Sequence, residues 1–549
     1  MPPKTRWLLV AITLLAFWLR LPGLFANTFQ GDEALFATWA RLIAVWRDPL
    51  LQTQLVDKPP LLFYLQAFFY PLQGPVEWAA RLPNWIASIL LVPLTAQWVW
   101  RWYVKDERRQ TADGGRSRSS VFGPPSLLVI QPILVAVLIA LSPYAIQFSA
   151  TAFLDPLLLF WLVGSLALID RPGWSGVLFG LALLTKHQAW LFLPLLLMVG
   201  WWRWGWLAAP DRLAVNDQAI GASCTSHQRR INPADGPDQP ASPVQRALLD
   251  SPPIYRWAGL AAMRWLAGML PFLTTLLLWE WLRTGSLALW GLQVSNFGGT
   301  RLIWSWELGP RLLAWAELGQ MVWAGGWPGA VFLLLLGGGM IWLWVYGRFP
   351  DRLLILFSLA YLALHWLLAI PVWDRYLLLL VPILALLLAR VLSGTLFSFR
   401  GKMGQIVLPA VVVLLLLPGA WSGRNGHFDW LSAGRLPIGG QADADQGIAT
   451  AAAYLEEAPY GTVLYDHWHS WQWRYHLFDR RVHHSWLPHP AQLTEELLVF
   501  GSDGHARYLS LPHTPAALPF RRAVSEAGFC LETVYEAEGI ELFLIVNCK

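Results

Sequence analysis

Long apolar stretches recur along this chain, and they constrain its fold more than any other feature. The first, "WLLVAITLLAFWLRLPGLF", is followed by many others of similar character. Runs of roughly 17 to 25 such residues are the length at which a helix crosses the hydrocarbon core of a bilayer. Inside that core every backbone N–H and C=O must find an internal partner, so repeated spans of this kind are helices. Composition agrees: 56% of the 549 residues are hydrophobic and 14% are charged, against roughly a quarter charged in a soluble domain. The opening "MPPKTR" leads into the first run with no small-residue cleavage site, so that run reads as a retained span rather than a signal peptide.

The pattern predicts about eleven spans, near 7–25, 84–103, 126–147, 156–169, 176–186, 188–202, 264–282, 321–346, 353–371, 376–393 and 405–421. The fifth and sixth are short and can form one broken hairpin around "TKHQAW". With a cytoplasmic N-terminus, the basic segments "RWYVKDERRQTADGGRSRSS", "DRPGW", "GRFPDR" and "SFRGK" fall inside, as the positive-inside rule requires. Residues 27–83, 148–155, 283–320, the "WDR" turn and everything after about 422 then fall outside. The expected location is the cytoplasmic membrane, crossed many times. The net charge of +5 is dispersed between spans, which is loop bias and not a nucleic-acid footprint. The 36 tryptophans suit interfacial belts.

Residues 1–423 are therefore expected to form an all-α polytopic membrane domain. Within it, 207–253 is rich in Pro, Asp, Ser and Gln and reads as a flexible cytoplasmic insertion. From about 424 the composition becomes soluble-like, and short apolar runs alternate with helix-like stretches. Residues 424–549 are expected to be a small extracytoplasmic α/β domain with its own core. Cys224, Cys530 and Cys548 lack metal-ligand spacing; the last two are either a disulfide, if the tail is external, or two free thiols.

In such a chain, ionisable residues beside span ends carry most of the functional information, because they tend to face a cavity, a partner or a reaction. In "TFQGDEALF", Asp32 and Glu33 precede a helical spacing of Ala34, Leu35, Thr38, Trp39, Leu42 and Ile43. That spacing predicts an interfacial amphipathic helix whose N-terminus favours a carboxylate, with plain helix capping as the competing explanation. In "DKPPLLFYLQ", Pro59 and Pro60 exclude helix through Lys58 but can begin one. Lys58 becomes a fixed cation at a helix entrance, either a seat for phosphate or a residue snorkelling to the headgroups. Asp155 before Pro156, Asn296 and Arg301 in "VSNFGGTRLIW", and Arg375 and Tyr376 in "WDRYLLLL" fall on the same predicted face. A guanidinium in a Gly-containing loop can wrap an oxyanion, and Asp374 can simply pair with Arg375.

These stretches carry a resemblance. "GDEALFATWA", "DKPPLLFYLQA", "EWAARLPN", "FLDPLLLFW", "GLALLTKHQAWLFLP" and "RYLLLLVPILALLLA" are similar, in order, to segments of the bacterial relatives of the protein O-mannosyltransferases. That superfamily includes the lipid A aminoarabinose transferases and has the GT-C glycosyltransferase fold. The resemblance covers roughly 1–420 and is strongest over 28–90. It implies a polyprenyl-phosphate sugar donor used at the outer face of the membrane. It gives Asp32 the acceptor hydroxyl, with Glu33 as its neighbour and Asp155 as the second-loop acid. Lys58 and Arg301, with Arg375 and Tyr376 near them, fall to the donor phosphate. Aminoarabinose transferases use a glutamate before that lysine and a later histidine to hold a divalent metal, where this chain has Asp57 and Asn296. The acceptor implied is a lipid, a glycan or a protein.

The chemistry expected is one in-line displacement that inverts the anomeric centre and needs no nucleotide; the sequence contains no Walker-type "GxxxxGK[ST]". A transporter or flippase of an anionic lipid-linked solute is the alternative, though such proteins place polar groups in mid-span within repeated halves. The histidine- and tryptophan-rich "YDHWHSWQWRYH", with His467, His469 and His476, followed by His483 and His484, reads as packed aromatics before it reads as a metal or sugar site.

Overall fold

The computed structural model describes residues 1–25, 29–73, 75–106, 130–207, 254–287, 301–324, 326–398, 447–537 and 539–548, together with 291, 292, 295, 410, 412–418 and 420. The 207–253 insertion, apart from its first residue, lies outside them, as do Asn296 and most of 405–421.

The membrane part is built from α1 (Pro3–Leu24), α2 (Gly31–Ala44), α3 (Leu61–Gln73), α4 (Glu77–Val99), α5 (Ile130–Leu141), α6 (Pro143–Ser149), α7 (Leu154–Ala167), α8 (Pro172–Thr185) and α9 (Leu193–Leu207). It continues through α10 (Ile254–Thr284), α11 (Leu308–Met321), α12 (Gly326–Tyr346), α13 (Phe349–Leu367), α14 (Asp374–Leu378) and α15 (Val381–Ser398). Among the described residues, 5 helices are long and apolar enough to cross a membrane, or 6 if α5 and α6, bent by 58°, count as one span. Four shorter apolar helices, including α7 and α8, complete the set. The multi-span helical architecture is as expected, but several predicted spans are broken or too short to cross alone. Proline 143 opens α6 and turns the chain there.

Buried charge locks the bundle internally. Arg20, wholly buried, donates from Nε to Ser88 Oγ (3.0 Å) and from its terminal nitrogens to the carbonyls of Ile139 and Ala140. Asp351 receives Arg390 at 3.0 Å and the Tyr103 hydroxyl at 2.7 Å. Each pair satisfies groups that would be costly alone in an apolar interior.

The C-terminal unit is a five-stranded mixed sheet in the order β2-β1-β3-β5-β4, formed by β1 (Val463–Asp466), β2 (His483–Trp486), β3 (Arg507–Pro512), β4 (Phe529–Glu536) and β5 (Ile540–Asn547). The first three strands run parallel, and β5 and β4 are antiparallel to their neighbours. Strand alternation sends Leu464 and Leu542 to one face, under α16 (Ile448–Tyr454) and α17 (Ser470–His476). Tyr465 and Phe543 go to the other, under α18 (Pro490–Phe500) and α19 (Leu518–Glu526). Cys530 and Cys548 form a disulfide across the β4–β5 edge.

The sheet unit is fastened to the bundle through α17 and α2. Arg41 of α2 donates to the Tyr475 carbonyl at 2.7 Å and to Asp479 at 2.5 Å, with its guanidinium 4.3 Å from the centre of the Phe478 ring. Phe29 meets Tyr475 edge-on at 4.8 Å, and the Tyr475 hydroxyl donates to the Pro75 carbonyl. Helix α2 is therefore clasped between α3 and α17 and buries most of its residues.

Candidate active site

Charged side chains from widely separated segments line one cavity of about 500 Å3, within the range of small-molecule sites. Asp32 comes from the first turn of α2, Asp57 and Lys58 from the loop before α3, and Asp155 from the start of α7. Lys186 follows the last residue of α8, and Arg375 and Tyr376 belong to α14. Phe36, Trp39, Trp373 and Trp471 supply aromatic walls. Three carboxylates thus face three cations.

The two acids of "GDE" divide the work. Glu33 turns inward, wholly buried. Its Oε2 accepts the Gln30 N–H at 3.0 Å, so the helix-capping job falls to Glu33. Its Oε1 accepts the Ala152 N–H at 2.7 Å and lies 3.3 Å from Arg81 Nε. Asn84 adds donor bonds to the carbonyls of Thr151 (2.7 Å) and Phe153 (2.6 Å). Glu33, Arg81 and Asn84 together fix the 151–153 segment that leads into α7, and so fix Asp155. Glu33 lies outside the cavity lining, and its contacts run to the backbone that leads into α7. Asp32 is left to face the cavity, 42% exposed and 2.7 Å from Arg375 Nη1.

Asp155 is almost wholly buried, and its Oδ1 accepts from Lys186 Nζ at 2.7 Å. Lys186 sits where α8 ends in extended backbone, and the following 3-10 turn (His187–Phe192) leads into α9. This break lets an ammonium leave an apolar helix end and enter the cavity. Its Nζ lies 5.4 Å from the centre of the Tyr376 ring. Lys58 is paired with Asp57, and α3 begins just after Pro59 and Pro60. Helix α14 is held by the hydroxyls of Tyr144, on the Asp374 carbonyl (2.9 Å), and Tyr361, on the Tyr376 carbonyl (3.0 Å). Asp374 accepts the Arg375 N–H at 2.6 Å, while the guanidinium packs 4.0 Å from the centre of the Trp373 ring and reaches Asp32.

Arg301 does not join this group. Its side chain is 48% exposed and forms a two-pronged bond to Glu307 at 2.9 and 3.0 Å. The partnership with Arg301, and the Trp304 N–H, hold the Glu307 carboxyl down to about 2. The backbone of Arg301 instead meets the segment just after α13, accepting the Ala369 N–H at 2.9 Å beside an isolated Leu302–Leu368 bridge. That pairing sets the direction of its side chain. The cations that do line the cavity are Lys58, Lys186 and Arg375. Of the two metal candidates, Asp57 already receives the Lys58 ammonium, and Asn296 lies outside the described residues.

No protein-family model matches the sequence, and no curated protein matches it. Similarity appears at the level of structure. The crystal structure of ArnT from Cupriavidus metallidurans in the apo state aligns with a TM-score of 0.58 at 13% identity, over 99% of this chain and 98% of that one. The fold is GT-C. The same ArnT bound to undecaprenyl phosphate aligns with a TM-score of 0.56, also at 13% identity and the same coverage. Within the GT-C framework the cavity lies where the first loop, the start of α7 and α14 converge.

Sequence reasoning passed over Lys186, Arg81, Asn84 and Trp471. Lys186 had a usable signal, since a lysine among apolar residues at a broken helix is costly unless it serves something. Arg81 and Asn84 lie inside "EWAARLPN", a stretch whose interest had rested on resemblance alone. Trp471, contributed by the C-terminal unit, had no local mark to separate it from its packed aromatic neighbours.

Proposed function

We propose that this chain is an inverting glycosyltransferase that moves a sugar from a polyprenyl-phosphate donor to an acceptor hydroxyl. The observation that carries this reading is the meeting of Asp32, Asp155, Lys58, Lys186 and Arg375 in one cavity of a GT-C fold. That ArnT from Cupriavidus metallidurans has been crystallised with undecaprenyl phosphate supports the donor class.

The charges suggest the sequence of events. Three carboxylates balance three cations in the lining, so an entering phosphate adds uncompensated negative charge and competes for the cations. If it takes Arg375, the Asp32 carboxylate is released to accept a proton. The acceptor oxygen then attacks the anomeric carbon as its hydroxyl proton passes to Asp32. The bond from that carbon to the phosphate oxygen breaks, and both electrons leave with the phosphate. Lys58, Lys186 and Arg375 hold the charge that develops there; removing one preorganised group of this kind typically costs on the order of 10²-fold in rate. Attack opposite the leaving group inverts the centre. Asp155, neutralised by Lys186, is better placed to hold that ammonium than to take a proton.

The reaction is assigned to the outer face of the cytoplasmic membrane. The Cys530–Cys548 disulfide supports an oxidising compartment for the tail, and α17 of that tail roofs the cavity. The acceptor class is left as a lipid, a glycan or a protein. Purified protein given a polyprenyl-phosphate sugar and candidate acceptors, with no gradient, should form a glycoside. Asp32→Asn should lower that rate by roughly 10²- to 10⁴-fold while the protein still accumulates. Near-normal turnover by the variant would remove Asp32 from the mechanism, and no conversion under any acceptor would favour transport.

A further inference from the structure

A second cavity, of about 670 Å3, opens at the other end of the same helices. Its lining includes Arg6 and Leu9 from the start of α1, Pro93 and Gln97 from the end of α4, and Asp170 and Arg171 from the turn after α7. Helix α7 begins with Asp155 in the candidate active site and ends three residues short of Asp170. Helix α1, 22 residues long, spans about 33 Å, close to the hydrocarbon thickness of a bilayer. Helix α7 therefore runs from one cavity towards the other, and the two lie beyond its opposite ends.

This second cavity has an excess of positive charge. Arg6, Arg101, Lys105 and Arg171 line it against a single acid, Asp170. Both oxygens of that acid are taken by Arg203, at 2.8 and 2.9 Å, and Arg203 also holds Asp106. The acids are thus spent inside the protein. Arg101 is held in place by donating to the Ala167 carbonyl at 3.1 Å, while Lys105 and Arg171 are exposed.

The backbone here is also unusual. The chain passes from α4 into a π-helical turn, Trp100–Lys105, a rare geometry often found at functional sites. It buries Trp102, Tyr103 and Val104 and leaves Trp100, Arg101 and Lys105 lining the cavity. The flank of α1 beside the cavity is apolar and outward-facing, with Trp7 75%, Leu8 48% and Val10 47% exposed.

We propose that this cavity binds the phosphate headgroup of an anionic membrane lipid, with the acyl chains lying along the exposed flank of α1. Guanidinium groups suit phosphate oxygens by charge and by paired donor geometry, and basic pockets between membrane helices at the interface take such headgroups. A bound headgroup ties together the ends of α1, α4 and α7, the last of which carries Asp155 at its far end. The proposal stands on this cavity alone and does not depend on the sugar-transfer reading.

The test is native mass spectrometry of the full chain in neutral detergent. It is titrated with phosphatidylglycerol or with phosphatidylcholine of the same acyl chains, with and without millimolar inorganic phosphate. The wild type should retain phosphatidylglycerol selectively. The triple variant Arg101→Gln, Lys105→Gln, Arg171→Gln should lose affinity for it by on the order of 10²-fold. Should the triple variant fail to fold, Lys105→Glu, at an exposed position, should still weaken retention severalfold at an unchanged size-exclusion profile. Equal retention of the two lipids, or undiminished retention by Lys105→Glu and the triple variant, overturns the proposal. Displacement of phosphatidylglycerol by inorganic phosphate at comparable concentration also overturns it, because the site would then serve a soluble anion.

Discussion

Arg375 and Asp32, 343 residues apart in sequence, meet at 2.7 Å across the candidate active site. The pair joins the first turn of α2 to the first turn of α14 and places a guanidinium between the proposed base and the proposed leaving group. Arg375→Ala should reduce transfer by about 10²-fold, seen in kcat more than in KM. Arg375→Lys should restore part of it, because charge survives but the planar fork of donors does not. Arg301→Ala, by contrast, should change the rate less than about threefold, since its partner Glu307 is a surface carboxylate. Steady-state kinetics on the purified variants check all three.

The Asp155–Lys186 pair is buried on both sides. Asp155→Asn alone leaves an ammonium without its counter-charge, at a cost of about 3–5 kcal/mol. The double variant Asp155→Asn, Lys186→Met should recover much of that stability and still be inactive. Thermal unfolding in detergent beside an activity assay separates the two effects; recovery of activity in the double variant would deny Lys186 a role in the reaction.

Trp471 is the C-terminal unit's contribution to the cavity wall. Trp471→Ala should raise the KM for the acceptor by roughly tenfold, as expected for loss of a well-packed aromatic contact of about 1–1.5 kcal/mol, with the KM for the donor nearly unchanged. Trp471→Phe should recover most of it. Equal shifts in both constants would point to a general loosening of the roof.

Stability should also depend on pH through His469, which precedes α17. Burial pushes its imidazole below the ordinary value, against the opposing pull of Asp466. The unfolded chain therefore binds a proton, near pH 6.5 and below, that the folded chain refuses. In that window unfolding takes up protons, so stability falls as pH drops through about 6.5 and levels off below the folded value. The thermal midpoint should fall between pH 7 and 5, and His469→Gln should flatten the decline.

The disulfide closes a loop with a sequence separation of 18, and its loss should destabilise the tail by about 3 kcal/mol. Of the 3 cysteines in the chain, alkylation under denaturing conditions without reductant should label one, and after reduction all three. Three labels without reductant would remove the main support for an external tail.

Much of the candidate cavity was legible in the sequence because charge in an apolar chain is expensive. Asp32, Lys58, Asp155 and Arg375 stood out for that reason, and the structure brings them into one lining. Sequence could not report direction. Arg301 sits in a suggestive Gly-containing loop, but its backbone pairing turns the side chain towards Glu307. Glu33 and Asp32 are adjacent and chemically alike, yet helix geometry sends one inward as a cap and the other into the cavity. The breaks within the spans are hidden for a related reason: hydropathy measures length of apolar chain, and the bend between α5 and α6 and the break at Lys186 leave that measure unchanged.

The clasp of Arg41 on Tyr475 and Asp479 has an evolutionary corollary. Because α17 furnishes part of the chamber while the charges proposed to handle phosphate all belong to the bundle, the two can diverge at different speeds. Under the proposed reaction, drift confined to the roof redirects transfer to a new acceptor and leaves the donor site undisturbed. Grafting a foreign roof should succeed only where the Arg41 contacts are preserved.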